Sequence, residues 1–195
     1  MHGERKRIGM MYTRALLAER YSAGEKIAVI AFWGHTADQG KITRACLSQW
    51  YDCRFESDGI WYHTAEQYMM AQKAVLMGDQ AAYERIMAAD HPRDCKALGR
   101  EVRPFDSALW DREKYGIVLK GNLAKFSQNP ALYAFLDSTG DSVLVEGSPY
   151  DGVWGVKLAI DDPRILDPNE WQGENLLGFA LMETRDLLRL ERGKL

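Results

Sequence analysis

The most informative pattern lies between residues 64 and 77, where apolar side chains cover almost every face of a predicted helix. A helix that is apolar all round normally lies inside a protein core. Thr64 has a Gln three positions later, the Thr-x-x-Gln spacing of a capping box, which predicts that the helix begins at Thr64. The helix nevertheless carries four polar side chains, those of Glu66, Gln67, Gln72 and Lys73.

Three other regions have the pattern of strands. "KIAVIAFW", residues 26–33, is apolar and rich in β-branched residues, which suits a buried strand. "YDCRF" and "GIWYH" flank a turn that contains Asp58 and Gly59, and this dipeptide predicts a β-hairpin. "SVLVEG", residues 142–147, predicts a late strand.

Helical periodicity and capping residues predict six further helices. They cover residues 10–21, 79–89, 106–128 and 174–192, with one opening at Asp90 that has Pro92 in its first turn, and a short one starting at Asn129 and Pro130. Strands come early, helices follow one another, and a strand returns late. This order indicates an α+β fold, mostly helical with a small sheet, rather than a regular βαβ alternation.

The length and composition of the chain fit one folded domain. Its 195 residues, 46% of them hydrophobic, can fill one core but not two comfortable ones. A change of composition near residue 25 separates the remainder from the start of the chain. We therefore expect an N-terminal helical extension over residues 1–25 and one main folded domain over residues 26–195.

Charge and metal-ligand patterns exclude several classes of function. The formal net charge of −3 provides no overall positive field, so any contact with nucleic acid must come from local basic residues. The three cysteines have no metal-binding or disulfide-framework spacing, and the four histidines are scattered. No window is apolar enough to cross a membrane. We expect a cytoplasmic protein without a metal site.

Glu66 and Lys73 allow two interpretations. A carboxylate in the first turn is favoured by the helix dipole whether or not it takes part in chemistry. Glu66 and Lys73 also lie on one helix face, about 10 Å apart along the axis at ~1.5 Å per residue, which is too far for a tight ion pair. They form either a satisfied polar pair in the core or two sides of a site for a polar ligand.

A long segment between the late strand and the last helix is the second candidate region. Residues 148–173 are rich in Gly, Pro and Asp, and ordered loops of this length are commonly functional. Tyr150 and Asp151, together with two tryptophans, make an aromatic and acidic wall suited to a stacked ring. The alternative is a surface loop that Trp154 and Trp171 simply pack in place.

Six segments, in this order and spacing, resemble the NADAR family over roughly residues 28–190. They are "TAEQYMMAQKA" (64–74), "ALGR" (97–100), Trp110, "AKF" (124–126), "LVEGSPYDGVWG" (144–155) and "WQGENLLGFALMETR" (171–185). Two positions depart from the family pattern. Gln49 and Trp50 follow Ser48 where Asn and Phe are usual, and Glu174 occupies a commonly basic position.

The resemblance implies a NADAR-like fold and an N-glycosidase that uses no cofactor. Members of the family hydrolyse phosphoribosylamino-pyrimidine intermediates of riboflavin biosynthesis, and others remove ADP-ribose from modified guanine. The expected partner is thus a small ribosyl or ADP-ribosyl molecule, with ADP-ribosylated nucleic acid as a further candidate, and no membrane. The rival class is an ADP-ribose- or nucleotide-binding module without turnover.

The resemblance also suggests roles for individual residues. Cleavage builds positive charge on C1′, which an ionised Glu66 would stabilise, with Asp151 as a second carboxylate or only an Asx-turn residue before Gly152. Lys73, if its pKa is lowered by burial, is a candidate nucleophile; the alternative is a charge-only or structural role. The expected substrate-binding residues are Trp154 and Trp110 around the base, Arg100 and Lys125 at phosphate, and Tyr150, Gly155, Asn175 and Gln72.

Overall fold

A computed structural model of the chain describes residues 11–36 and 40–193. Helices dominate, and the strands are short, which confirms the α+β prediction. In chain order the elements are α1 (Arg14–Ser22), β1 (Val29–Phe32), β2 (Phe55–Ser57), β3 (Ile60–Tyr62), α2 (Ala65–Met77), α3 (Gln80–Met87), α4 (Pro92–Glu101), α5 (Ser107–Gln128), α6 (Pro130–Ser138), β4 (Val143–Glu146) and α7 (Leu176–Glu191).

The strands form two separate two-stranded pairings. β1 and β4 are parallel, with Val29 opposite Val143 and Phe32 opposite Glu146. β2 and β3 form the predicted antiparallel hairpin. Its turn residue Asp58 has a φ of 54° and the next glycine has a φ of 80°, the backbone that a tight two-residue hairpin requires.

Helix α2 is the central element, and it begins where the sequence predicts. The Thr64 side chain accepts a hydrogen bond from the Gln67 amide at 3.1 Å, and the Gln67 side chain accepts one from the His63 amide at 2.9 Å. The helix ends at Gly78, which adopts a left-handed φ of 72°. Glu66 and Gln67 are both buried, so two of the four polar residues lie in the interior.

Helices α3, α4 and α5 pack against α2, and α7 packs against α5 and β4. Gly99 allows α4 to approach α2 closely, because a Cβ at this position would lie 2.0 Å from the sulfur of Met70. The close crossing places Lys96 and Arg100, on either side of Gly99, next to the face of α2 that carries Glu66.

The ends of several helices differ from the prediction. α4 has His91 rather than Asp90 at its N-cap, and α7 begins at Leu176 after Asn175, which has a left-handed φ of 56°. The first helix runs from Arg14 to Ser22, and Met10, the predicted start, lies outside the described residues. These shifts arise because a local pattern does not specify which of two neighbouring polar residues caps a helix.

Helix α1 and the residue Tyr12 before it pack against the rest of the fold. Leu17 is completely buried, and Tyr12 hydrogen-bonds through its hydroxyl to Asp186 of α7. Arg14 donates to the carbonyl oxygen of Pro168 at 3.2 Å. Within the described residues, no helix is long and apolar enough to cross a membrane.

Candidate active site

Two adjoining cavities open beside the N-terminal end of α2. We call them the inner cavity, about 350 Å³, lined by Gln49, Glu66, Lys73, Trp110 and Trp154 among others, and the outer cavity, about 610 Å³, whose lining includes Trp33, His35 and Tyr150. Both cavities share the residues Trp50, Lys96, Arg100, Glu146, Asp151 and Val153. The two cavities therefore form one continuous cleft, of which the inner cavity is the smaller part.

Glu66 lies at the inner cavity in the first turn of α2, where its backbone amide donates to the Gln49 carbonyl oxygen at 2.9 Å. Its side chain is only 3% exposed. Burial raises the pKa of this carboxyl to about 7, although Lys96 and a hydrogen bond with the Trp50 side chain oppose the rise. Burial therefore opposes the ionised form of Glu66, which its place in the first turn of the helix favours.

Glu146 is a second carboxylate of the cleft, and the sequence reasoning assigned it no role. It is the last residue of β4, and it lines both cavities. Burial raises its pKa to about 8, and the negative charges of Asp151 and Glu66 add to the effect, while Lys96 opposes it. The available signal was a charged residue that ends a buried strand inside the quoted "LVEG" segment.

Asp151 lies in the loop that follows β4. Its Oδ1 accepts hydrogen bonds from the amides of Val153 at 2.9 Å and Trp154 at 2.8 Å, so the Asx-turn interpretation is confirmed. The same residue also lines both cavities. Asp151 therefore both holds the turn and lines the cleft, because the turn uses only one of its two carboxylate oxygens.

Lys73 is half-buried at the far end of the inner cavity. Its Nζ donates to the Gly99 carbonyl oxygen at 2.6 Å and lies 4.5 Å from the centre of the Phe105 ring and 5.6 Å from that of Trp110. Burial and the nearby Arg103 and Arg100 lower the pKa of its ammonium group. A lysine in this state is more easily deprotonated than one on the surface.

Lys96 and Arg100 place positive charge where the two cavities meet. They are one turn apart on α4, so both side chains lie on the same helix face. The Lys96 Nζ lies 5.8 Å from the centre of the Trp50 ring. Arg100 is solvent-exposed. Cations at this boundary suit the negative charge of a phosphate group.

A model of the NADAR domain matches residues 31–189 of this chain. The chain belongs to the NADAR family. The resemblance inferred from its six sequence segments is therefore confirmed.

Known NADAR relatives cover most of the chain. N-glycosidase R617 of Acanthamoeba polyphaga mimivirus is 40% identical over 157 residues, which are 78% of this chain and 92% of that protein. N-glycosidase YbiA of Escherichia coli is 28% identical over 175 residues, 90% of this chain and 98% of that protein. The NMR structure of E. coli YbiA has a TM-score of 0.70 at 27% identity and covers 88% of this chain and 90% of its own.

Six of the predicted site residues meet in the inner cavity of this NADAR domain: Glu66, Lys73, Arg100, Trp110, Asp151 and Trp154. Tyr150 is separate from them, because it lines the outer cavity with 87% of its surface exposed. Gln49, Trp50, Lys96 and Glu146 join them although sequence reasoning gave none of them a role at the site. They come from one loop, from α4 and from the end of β4, so no local pattern groups them.

Four predicted substrate-binding residues lie outside both the inner and the outer cavity. Lys125 is fully buried and donates to the Ser48 carbonyl oxygen at 2.8 Å, and Gln72 donates to the Tyr62 hydroxyl at 3.3 Å. Burial also lowers the pKa of the Lys125 ammonium group. Lys125 therefore holds the backbone of Ser48, next to Gln49, in place. It lies outside both cavities and so does not contact a phosphate group bound there.

The other two hold the end of β4 in place. Asn175 accepts from the Glu146 amide at 3.0 Å and donates to the Leu144 carbonyl oxygen at 2.9 Å. Gly155 packs against the same strand so closely that a Cβ would lie 2.8 Å from the Glu146 carbonyl oxygen. Both residues position Glu146 rather than contact the cleft. Within residues 11–36 and 40–193, no three His, Cys, Asp or Glu residues are grouped so as to hold a metal ion.

Proposed function

We propose that this protein hydrolyses the bond between ribose C1′ and the nitrogen of a base-like group. The relatives support the reaction class, because the mimiviral, E. coli and Nostoc punctiforme proteins are all named N-glycosidases. The observation that carries the proposal for this chain is the buried carboxylate of Glu66 in a cavity walled by Trp110 and Trp154.

The chemistry of the bond explains why a buried carboxylate is useful. Breaking the N–C1′ bond leaves positive charge shared between C1′ and the ring oxygen. A carboxylate fixed in a site without water stabilises that charge more strongly than one in solvent. A cationic sugar also favours the ionised form of Glu66, whose pKa burial raises to about 7. Asp151 and Glu146 are the other two carboxyl groups that line both cavities of the cleft.

Lys73 has two roles open to it in this mechanism. As a nucleophile, its neutral amine attacks C1′, the base leaves with the electron pair of the broken bond and gains a proton, and the sugar ring opens to a Schiff base. Water then adds to the Schiff base and releases the sugar, which restores the amine. As a cation, Lys73 only shapes the electrostatic field of the cavity.

The two-part cleft supports an extended substrate. We propose that Trp110 and Trp154 enclose the base, and that Lys96 and Arg100 bind phosphate where the cavities meet. The phosphate group of a phosphoribosylamino-pyrimidine lies at that boundary and is the last part of this substrate. An ADP-ribosyl group continues into the outer cavity, where Trp33 and Tyr150 offer rings for its adenine, so the outer cavity favours ADP-ribosylated guanine as the substrate.

One experiment separates the substrates and the rival class. The protein is incubated with phosphoribosylamino-pyrimidine and, separately, with ADP-ribosylated guanosine, and the release of ribose 5-phosphate or ADP-ribose is measured. We expect catalytic release of ADP-ribose, with a smaller rate for the shorter substrate. Tight binding of ADP-ribose without release from either substrate would instead identify a binding module.

A further inference from the structure

Three oxygen atoms at the inner cavity are buried and have no hydrogen-bond partner among the described residues. They are Oε1 of Gln49, Oε1 of Glu66 and Oε2 of Glu146. All three residues line the inner cavity. Each comes from a different part of the fold: a loop, the first turn of α2 and the end of β4.

Unpaired buried acceptors are costly, so their presence calls for an explanation. A buried oxygen that has lost water without gaining a partner destabilises the fold. Three such oxygens belong to residues that line one cavity. Donors from a bound molecule or ordered water relieve this cost, as does protonation of a carboxyl group.

The donors that complete this cluster are expected to be uncharged. The inner cavity is lined by as many basic side chains as acidic ones, Lys73, Lys96, Arg100 and Lys114 against Glu66, Asp111, Glu146 and Asp151, so it has no excess of negative charge to attract an ammonium group. A phosphate group is also unsuitable, since its oxygens are acceptors. Sugar hydroxyls are neutral, small and able to donate, and a ribose carries two adjacent ones at C2′ and C3′.

We infer that Gln49, Glu66 and Glu146 form an acceptor cage that selects substrates with free 2′- and 3′-hydroxyls, and that Gln49 determines this specificity. The inference rests on the proposed function, because it names the sugar that the same site accepts. A site built to hydrogen-bond a hydroxyl rejects the analogue that lacks it, since its own polar groups are then left unpaired. Hydroxyls that donate to these two carboxyl groups favour their ionised forms, which lowers the pKa values that burial raises.

Gln49 is the member of the cage that is best suited to a test. It is 7% exposed and uncharged, so its replacement does not alter the charge of the cavity. Gln49→Met keeps the length of the side chain but removes the acceptor. Asn122 of α5 provides a matched control, because its Oδ1 is also buried and without a partner among the described residues, but it lines neither cavity.

The test measures kcat/KM for the ribosyl substrate and for its 2′-deoxy and 3′-deoxy analogues. We expect the wild-type protein to process each analogue about 10- to 100-fold less efficiently, the loss of one hydrogen bond to a buried acceptor. In Gln49→Met, the discrimination against one of the two analogues should fall about tenfold. In Asn122→Leu, both ratios should equal those of the wild type.

Equal kcat/KM for the ribosyl substrate and both analogues would overturn the inference and indicate that the acceptors bind the base instead. Wild-type ratios in Gln49→Met would exclude Gln49 as the specificity residue. A binding measurement keeps the inference testable if no substrate is cleaved. Calorimetry should then show that ribose 5-phosphate binds about tenfold or more tightly than 2-deoxyribose 5-phosphate. Equal binding of the two sugars, or binding of neither, would overturn the inference independently of the proposed reaction.

Discussion

The ammonium group of Lys73 donates a hydrogen bond to the backbone carbonyl oxygen of Gly99 over 2.6 Å. Gly99 is the residue that allows α4 to cross α2 closely. The same crossing therefore half-buries the lysine and supplies its hydrogen-bond acceptor. An amine that is held by a neutral carbonyl rather than by a carboxylate keeps a lowered pKa, as the direction of the Lys73 shift shows.

The covalent role of Lys73 predicts a trapped intermediate. Borohydride added during turnover should reduce the Schiff base and leave a sugar adduct, which mass spectrometry would locate on Lys73. Lys73→Arg retains the positive charge but forms no Schiff base, so its turnover should fall about 100-fold or more, as should that of Lys73→Ala.

The electrostatic role of Lys73 gives a different pattern. Lys73→Arg should then retain most of the activity while Lys73→Ala loses it, and no adduct should form. Both variants also lose or alter the hydrogen bond to Gly99, at a cost of about 1 kcal/mol in the free energy of unfolding. Rates must therefore be normalised to the folded fraction.

Glu66→Gln should lower the turnover rate by about two orders of magnitude without a large loss of stability. The amide keeps the size of the side chain but cannot stabilise a cationic C1′. Substrate affinity should change much less than the rate, because the lost interaction is strongest in the transition state. Single-turnover rates and melting temperatures on the same preparation separate the two effects.

Gln67→Met is the matched control for Glu66→Gln. Gln67 follows Glu66 in the same helical turn and lines neither cavity, but its side chain bonds to the His63 amide and to the carbonyl oxygens of Ile86, Met87 and Ala89. Its replacement should lower the free energy of unfolding by about 2–3 kcal/mol and leave turnover per folded molecule almost unchanged. A wild-type rate in Glu66→Gln would mean that Glu66 only begins the helix.

The two buried carboxyl groups predict how stability varies with pH. Glu66 and Glu146 have pKa values of about 7 and about 8 in the folded protein, against 4.5 for the ordinary side chain. At pH values between 4.5 and about 8, the folded state binds more protons than the unfolded state. The free energy of unfolding of the ligand-free protein should therefore fall as the pH rises from about 5 to about 8.

Melting temperatures across that range provide the measurement. Each kcal/mol corresponds to about 2–4 °C for a protein of this size. Glu146→Gln should flatten the decline, and the double variant with Glu66→Gln should flatten it further, because both titrating groups are then absent. A double variant that declines as steeply as the wild type would show that other groups are responsible.

Side chains of the outer cavity should affect the KM for ADP-ribosylated guanosine but not that for phosphoribosylamino-pyrimidine. Trp33→Ala or Tyr150→Ala should raise the KM for ADP-ribosylated guanosine about 5- to 100-fold, the contribution of one stacked base, and leave the KM for phosphoribosylamino-pyrimidine unchanged. Both side chains are substantially exposed, so their replacement should not disturb the core.

Trp61→Ala is the control for the outer cavity. Trp61 is 50% exposed on the β2–β3 hairpin, where the guanidinium of Arg54 lies 5.0 Å from its ring centre, and it lines neither cavity. Its replacement should leave both KM values unchanged. If Trp33→Ala and Tyr150→Ala behave like Trp61→Ala, the adenine of the substrate does not occupy the outer cavity.

Features that depend on neighbouring residues are predictable from the sequence. The start of α2 follows from Thr64 and Gln67, and the hairpin follows from Asp58 and Gly59, because short-range hydrogen bonds and backbone preferences specify both. The position of Glu66 in the first helical turn follows in the same way. The identity of the NADAR family also follows from ordered motifs in the sequence.

Only the tertiary structure determines which side chains share a cavity and how strongly the pKa values of their acidic and basic groups are shifted. Glu146 reaches Glu66 because β4 pairs in parallel with β1 and α7 supports its end through Asn175, contacts between distant parts of the chain. Burial raises the pKa of Glu66 against the helix dipole, and burial places Lys125 behind the site instead of in it. Desolvation depends on everything that packs around a group, so no short stretch of sequence encodes it.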